Sequence, residues 1–181
     1  MTTEIYLKKL GEYKNNLNDI VKIVVVPEAN ELIAETKNRV VIDGKSSTGN
    51  KIGNYSRKEG YYGREDFTNR GSFQGVGKNG GKPRKTMYLQ QGYYQLRGIQ
   101  GKENAFVNMD YSGDTRNRYQ FNVSGNRVIF GMTTAKSALI REGNDKKFGV
   151  NIWASTRQQL EEFNKGVAQG QLELYNKTFS E

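Results

Sequence analysis

The side chains that most often do chemistry at neutral pH are missing from this chain, which has no His and no Cys in 181 residues. Without His it lacks the commonest general base and the commonest metal ligand. Without Cys, thiolate nucleophiles, disulfides, cysteine-ligated zinc and iron–sulfur clusters are excluded. Carboxylates, hydroxyls and cations remain. Gly44-Lys45-Ser46-Ser47-Thr48 has the look of the end of a phosphate-binding loop, but that loop needs a glycine five residues before Gly44, where Arg39 stands. Asp110, Asp114 and Glu142 could serve as oxygen ligands or as an acid–base pair. Turn chemistry and solvated surface are the plainer reading of all three, since Asp beside Gly, as Asp114 is, needs no further reason in a turn. No catalytic residue, cofactor or metal is expected.

The strongest functional candidate is a basic, aromatic and glycine-rich stretch over residues 44–85. Lys45, Lys51, Arg57, Lys58, Arg64, Arg70, Lys78, Lys82, Arg84 and Lys85 alternate there with Tyr55, Tyr61, Tyr62, Phe67 and Phe73. Lys and Arg neutralise phosphates, and aromatic rings stack on unpaired bases. The plainer alternative is a solvated insertion that orders only against neighbouring chains; Glu59, Glu65 and Asp66 interrupt its basic run. The stretch has almost no aliphatic residues, so it is expected to form an extended loop that contributes nothing to a core. The chain carries 28 Lys and Arg against 19 Asp and Glu, a net charge of +9. Such a balance predicts an anionic partner, either nucleic acid or an acidic protein face.

A chain of this length is expected to form a single domain over residues 1–181. Ile5, Leu10, Tyr13, Leu17, Ile20, Val21 and Val24 recur at three- and four-residue steps and predict helix up to about Val26. The Val24-Val25-Val26 run and Pro27 predict a break or kink there, with a second helix that has Pro27 in its first turn and runs to Arg39. Val40-Val41-Ile42 reads as a short strand ending in the Asp43-Gly44 turn. A short helix is expected over 86–97 and a strand over 105–110. The firmest element is a hairpin, with strands at 119–123 and 128–130 around Ser124-Gly125-Asn126-Arg127. Thr133 or Thr134 caps a helix expected to end at Glu142-Gly143-Asn144, after which 146–150 links onward. Ser155 is expected to cap the last helix, with Gln159 a capping-box partner only if Thr156 is the true cap. Leu160, Phe163, Val167 and Leu172 mark its expected buried face. The whole is an α+β pattern in which N- and C-terminal helices pack on a small antiparallel sheet.

The N-terminus carries Glu4, Lys8 and Lys9 among its apolar residues, unlike a secretory signal. The longest apolar run, 23–26, is far short of the roughly 20 residues that cross a bilayer. Use without export and without a membrane is therefore expected, which leaves the Asn-x-Ser/Thr sequences at Asn54, Asn122 and Asn176 without meaning as glycosylation sites.

From about residue 40 onward the order of features resembles the tail-completion (neck) and virion-morphogenesis proteins of tailed bacteriophages, which join the capsid portal to the tail. The resemblance rests on N-terminal helices, the Asp43-Gly44 turn and a helix from Tyr88-Leu89 to Gly98. Tyr111-Ser112-Gly113-Asp114 then precedes the hairpin, and Lys147-Phe148-Gly149-Val150-Asn151-Ile152-Trp153 leads into the last helix. In that family a Thr/Ser-Gly-Asp/Glu-Leu segment introduces the hairpin and an Arg-x-Phe-like segment precedes the final helix. Here Gly113 and Asp114, and Lys147, Phe148 and Gly149, occupy those places. No leucine follows Asp114, and the usual proline before the second segment is absent.

The resemblance implies an α+β subunit of a homo-oligomeric ring around the DNA channel, touching portal or connector and tail proteins and the packaged double-stranded DNA. The virion would be its location, after synthesis in the host bacterial cytoplasm. Two other classes stand beside it: a non-enzymatic nucleic-acid-binding protein that uses the basic, tyrosine-containing loop, and a small carboxylate-dependent enzyme resting only on the surviving Asp and Glu.

Overall fold

The computed structural model describes residues 2–75, 85–109, 113–124 and 127–180, the side chains of 17–19 excepted. Within them the chain is α+β, with six α-helices and two two-stranded antiparallel sheets. Helices α1 (Thr3–Ile20) and α2 (Val26–Val41) are joined by a π-helical turn, Val21–Val25, so the expected break at Pro27 does not occur. Pro27 lies just beyond the π turn, after Val26, and the wider turn accommodates its ring and its missing N–H while the backbone keeps helical angles.

The strand expected at Val40-Val41-Ile42 is helical instead, and the Ile42 N–H donates to the Asn38 carbonyl at 2.8 Å. Packing overrides β-branched preference here. Ala29, Leu32, Ile33, Thr36, Arg39 and Val40 are all buried, at the steps that line one face of a helix. Arg39 carries its charge into that face: its guanidinium donates to the carbonyls of Lys45 (2.9 Å), Ile152 (3.3 Å) and Ala154 (2.6 Å). The turn that follows requires glycine, because Gly44 has φ +64° and a Cβ there would lie 2.1 Å from the Phe106 ring.

The stretch expected to stay out of the core enters it. Ile52 joins a cluster with Ile33, Val40, Val41, Val107, Tyr119, Ile152 and Trp153, and Phe67 forms a second with Leu89 and Leu96. Strand β1 (Gly60–Gly63) pairs with β2 (Thr86–Leu89), Gly60 opposite Leu89 and Gly63 opposite Thr86. Aromatic side chains bury enough area each to replace the missing aliphatics. Lys78, Lys82 and Arg84 lie outside the described residues.

The helix expected over 86–97 therefore divides into β2, a turn and α3 (Gly92–Ile99). Gly92 makes the division: its φ is +48°, and a Cβ would stand 1.9 Å from the Lys58 carbonyl oxygen. Over 105–109 there is no strand; that segment is held instead by the Val107 N–H donating to the Gly53 carbonyl at 2.9 Å. Asp110 lies outside the described residues.

After the short helix α4 (Asp114–Arg118), strands β3 (Tyr119–Ser124) and β4 (Arg127–Met132) form the expected hairpin, from Tyr119 opposite Met132 to Ser124 opposite Arg127. Thr134 caps α5 (Ala135–Phe148), which runs through Glu142-Gly143-Asn144 and takes in Lys146 and Lys147 before Gly149 (φ +68°) ends it. One exposed glycine costs a helix about 1 kcal/mol, too little to stop it. Thr156, not Ser155, caps α6 (Arg157–Phe179): the Gln159 N–H donates to its hydroxyl at 3.1 Å, and its own N–H donates to Gln159 Oε1 at 3.0 Å.

Helix α6 packs on α1 and α2, yet none of its residues is buried, and the expected face fails at Leu160 and Leu172, which stay exposed. Its closest approach uses Gly166 and Gly170. A Cβ at Gly170 would meet Val24 Cγ1 at 2.6 Å, and one at Gly166 would meet the Glu28 carboxylate. Val24 is buried and stiff, whereas the Glu28 carboxylate ends a flexible chain. Gly166→Ala is accordingly expected to be neutral or to gain up to about 1 kcal/mol of helix propensity. Gly170→Ala is expected to be destabilised by about 1–3 kcal/mol through overpacking against Val24. Urea unfolding of the two variants side by side checks the difference, and equal effects would refute the close approach.

Candidate functional site

A cleft of about 370 Å³ opens between α3, α5 and the segments around Tyr55 and Val107. Its floor is built on Arg97, only 1% exposed. The guanidinium donates from Nε to the Glu103 carbonyl at 2.5 Å and from Nη2 to Asn108 Oδ1 at 2.9 Å, and lies 4.4 Å from the centre of the Tyr55 ring. The Tyr55 hydroxyl donates to the same Asn108 oxygen at 3.0 Å and accepts the Asn108 N–H at 3.2 Å. Tyr93 adds a ring 5.4 Å from that of Tyr55. Met109, next on the wall, has φ +51°, an uncommon conformation for a residue with a side chain. Ile140, Asn144, Lys147 and Phe148 close the cleft from α5.

Three of the residues singled out by the resemblance meet here, since Gly113, Lys147 and Phe148 line the cleft. The other two do not: Asp114 pairs with Arg118 at 3.5 Å on the surface of α4, and Gly149 is the α5 stop. Among the described residues, no lysine or arginine of the 44–85 stretch lines it. Lys45, Lys51, Arg57, Lys58, Arg64, Arg70 and Lys85 are exposed; Lys45 pairs with Asp43 at 3.9 Å, and Arg57 sits 4.3 Å above the Tyr94 ring. Half-buried Tyr55 and buried Arg97 and Asn108 carry no local pattern that would mark them in the sequence. Among the described residues no group of three or more Asp or Glu is arranged to hold a metal ion. Glu142 is exposed, Asp114 pairs with Arg118, and Asp110 lies outside the described residues.

A second concave surface, about 320 Å³, runs between α2 and α6 and is acidic: Glu28, Glu31, Glu35 and Glu162 line it, with Lys165 at one side. Burial pushes the Glu35 carboxyl above its ordinary value, and the negative charges of Glu162 and Glu31 push it further; a hydrogen bond from Gln159 partly offsets them. Among the described residues, helices of at least 18 residues include none apolar enough to cross a membrane. No protein-family model matches the chain, and no curated protein or solved structure shows a significant likeness to it.

Because the folded state holds the Glu35 proton more tightly than the unfolded chain does, its contribution to stability falls as pH rises from the ordinary carboxylate range through the raised value. Glu35→Gln keeps the shape and removes the charge. It is expected to melt like the parent at about pH 3.5 and a few degrees higher at about pH 7. Thermal melts at the two pH values check this, and a lower melting temperature at neutral pH would contradict it.

Proposed function

We propose that this chain is a structural subunit of a bacteriophage head–tail junction, a neck or tail-completion ring that joins portal to tail around the DNA channel. The observation that carries the reading is α6, a 23-residue helix with no buried residue, on which Leu160, Leu172 and Tyr175 stand exposed. Its partner α1 leaves Ile5, Leu7 and Leu10 exposed as well. Long helices with uncovered apolar side chains are what a subunit presents when neighbours complete its packing. The phage setting comes from the resemblance: paired N-terminal helices, Gly113-Asp114 before the hairpin, and Lys147-Phe148-Gly149 before α6. Work of this kind needs contact and shape, not catalysis, a cofactor or a metal. On this reading the protein acts in the virion after synthesis in the bacterial cytoplasm. Light scattering and negative-stain microscopy of the purified chain, alone and with portal, are expected to reveal closed rings that bind portal. A chain that stays monomeric and never joins a virion overturns the reading.

A second reading, a nucleic-acid-binding protein, is favoured by the outer face of β1–β2. Tyr61 and Tyr88 sit there as registered partners with ring centres 5.1 Å apart, Tyr88 donating to Glu59, and exposed Arg57 and Lys58 precede β1 in the chain while exposed Arg64 follows it. If these cations touch phosphates, the triple variant Arg57→Ala/Lys58→Ala/Arg64→Ala will flatten the slope of log affinity for duplex DNA against log salt by about 0.9 for each phosphate that is no longer neutralised. A salt titration with an unchanged slope would remove this face as a DNA-binding surface.

A further inference from the structure

Two uncovered surfaces of this chain are opposite in form and in charge. The first is a groove of about 590 Å³ between the π turn, the β3–β4 hairpin and α6, walled by Ile20, Val25, Val128, Phe130, Leu160 and Val167. Phe163 lines this groove and also the furrow of Glu28, Glu31, Glu35 and Glu162 on the other flank of α6. The groove is thus largely apolar, with Arg127 the one charged residue lining it among the described residues, and its shoulder is acidic, four glutamates against Lys165.

The second surface is α5, which buries only Ser137. Lys136, Leu139, Ile140, Gly143, Lys146 and Lys147 fall within an arc of about 120° when successive residues turn by about 100°. Leu139 is 69% exposed and Ile140 40%. The arc is an apolar ridge with lysines toward both ends and a glycine that lets another backbone come close.

We propose that α5 of one copy docks into the α6 groove of the next, with Leu139 and Ile140 entering between the groove's aliphatic walls and the lysines turned toward the glutamate furrow. The inference rests on the ring reading and names the contact that builds the ring. Charge selects the occupant. Copies with a net charge of +9 repel one another overall, so a stable contact must bring unlike patches together. Groove against groove would set glutamates against glutamates, and α5 against α5 would set lysines against lysines. Nucleic acid is a poor occupant, because phosphates meet the acidic shoulder. Ridge into groove satisfies both the apolar and the charged groups. Such a contact joins two different surfaces, so it repeats head to tail and closes into a ring where the rotation allows.

The chain has no cysteine, so introduced thiols report a single contact. Leu139→Cys and Leu160→Cys, both at exposed positions, are mixed in equal amounts under mild oxidation, with circular dichroism confirming that each is folded. The expected product is the mixed disulfide, joining position 139 of one chain to position 160 of another, in clear excess over either homodimer. The chain carrying both substitutions should give a covalent ladder. Lys136→Glu and Glu162→Lys should each weaken assembly, and their combination should restore it. Homodimers as abundant as the mixed product overturn the head-to-tail contact. Oligomers in light scattering without the mixed disulfide overturn this contact and leave the ring reading standing, whereas a monomer in every buffer overturns both.

Discussion

The fold depends on one buried charge. The Arg39 guanidinium is 8% exposed, and it bonds to the carbonyls of Lys45, Ile152 and Ala154, which lie in two segments far apart in the chain. A guanidinium stays protonated even where burial lowers its pKa, as it does here, so the charge cannot be shed and must be satisfied by geometry. Each charged hydrogen bond contributes about 1.5–3 kcal/mol net, and removing one leaves a buried carbonyl to desolvate for nothing. Three consequences follow in space. The last turn of α2 must stay helical to aim Arg39 inward. The chain must turn at Gly44 to bring the Lys45 carbonyl back. The 152–154 segment must arrive with Ile152 and Trp153 buried, Trp153 lying 5.2 Å from Tyr119. Because the Thr156 cap lies two residues beyond Ala154, the same constraint sets where α6 begins.

Arg97 plays a corresponding part where α3 meets the segments around Tyr55 and Asn108. It gathers the Glu103 carbonyl, Asn108 and the Tyr55 ring around one planar cation. A lysine could not do the same, because its ammonium has no flat face to lay on a ring and no fixed fork of donors. Two buried arginines thus order an interior whose buried apolar residues are mostly aliphatic. The cleft above Arg97 inherits its rigidity from that arrangement.

What can be read from the sequence follows from which interactions are local. The β3–β4 hairpin is legible because alternation and a tight turn signal are both contained in about a dozen residues. The caps are nearly so: Thr134 is one of the two threonines expected, and the Thr156–Gln159 box is the alternative to Ser155. The β1–β2 sheet is not legible, since Gly63 pairs with Thr86 across a glycine-rich stretch that shows no strand period. The helical end of α2 escapes a sequence reading because Val40-Val41-Ile42 is β-branched, and only the burial of Arg39 beside it decides the conformation. In the cleft, Gly113, Lys147 and Phe148 are marked by feature order, while Tyr55, Arg97 and Asn108 meet only through tertiary contacts. The expected face of α6 fails for a different reason: its spacing is correctly helical, but periodicity says which side is apolar and not whether this chain covers it.

That last distinction bears on how the charge is used. Basic residues are dense in the 44–85 stretch and at both ends of α5, while the three glutamates of α2 and Glu162 of α6 line one furrow. A protein whose positive charge served only solubility would have no reason to segregate the two signs. Segregation gives unlike patches that attract at short range between copies that repel at long range, which favours registered contact over loose clustering. Salt weakens both the attraction and the repulsion. An apolar ridge in an apolar groove, however, is little weakened by salt, whereas binding to phosphates weakens steeply. Ionic strength therefore separates the two proposed roles of the basic charge, because an assembly held at α5 and α6 would persist under conditions that would strip nucleic acid from Arg57, Lys58 and Arg64.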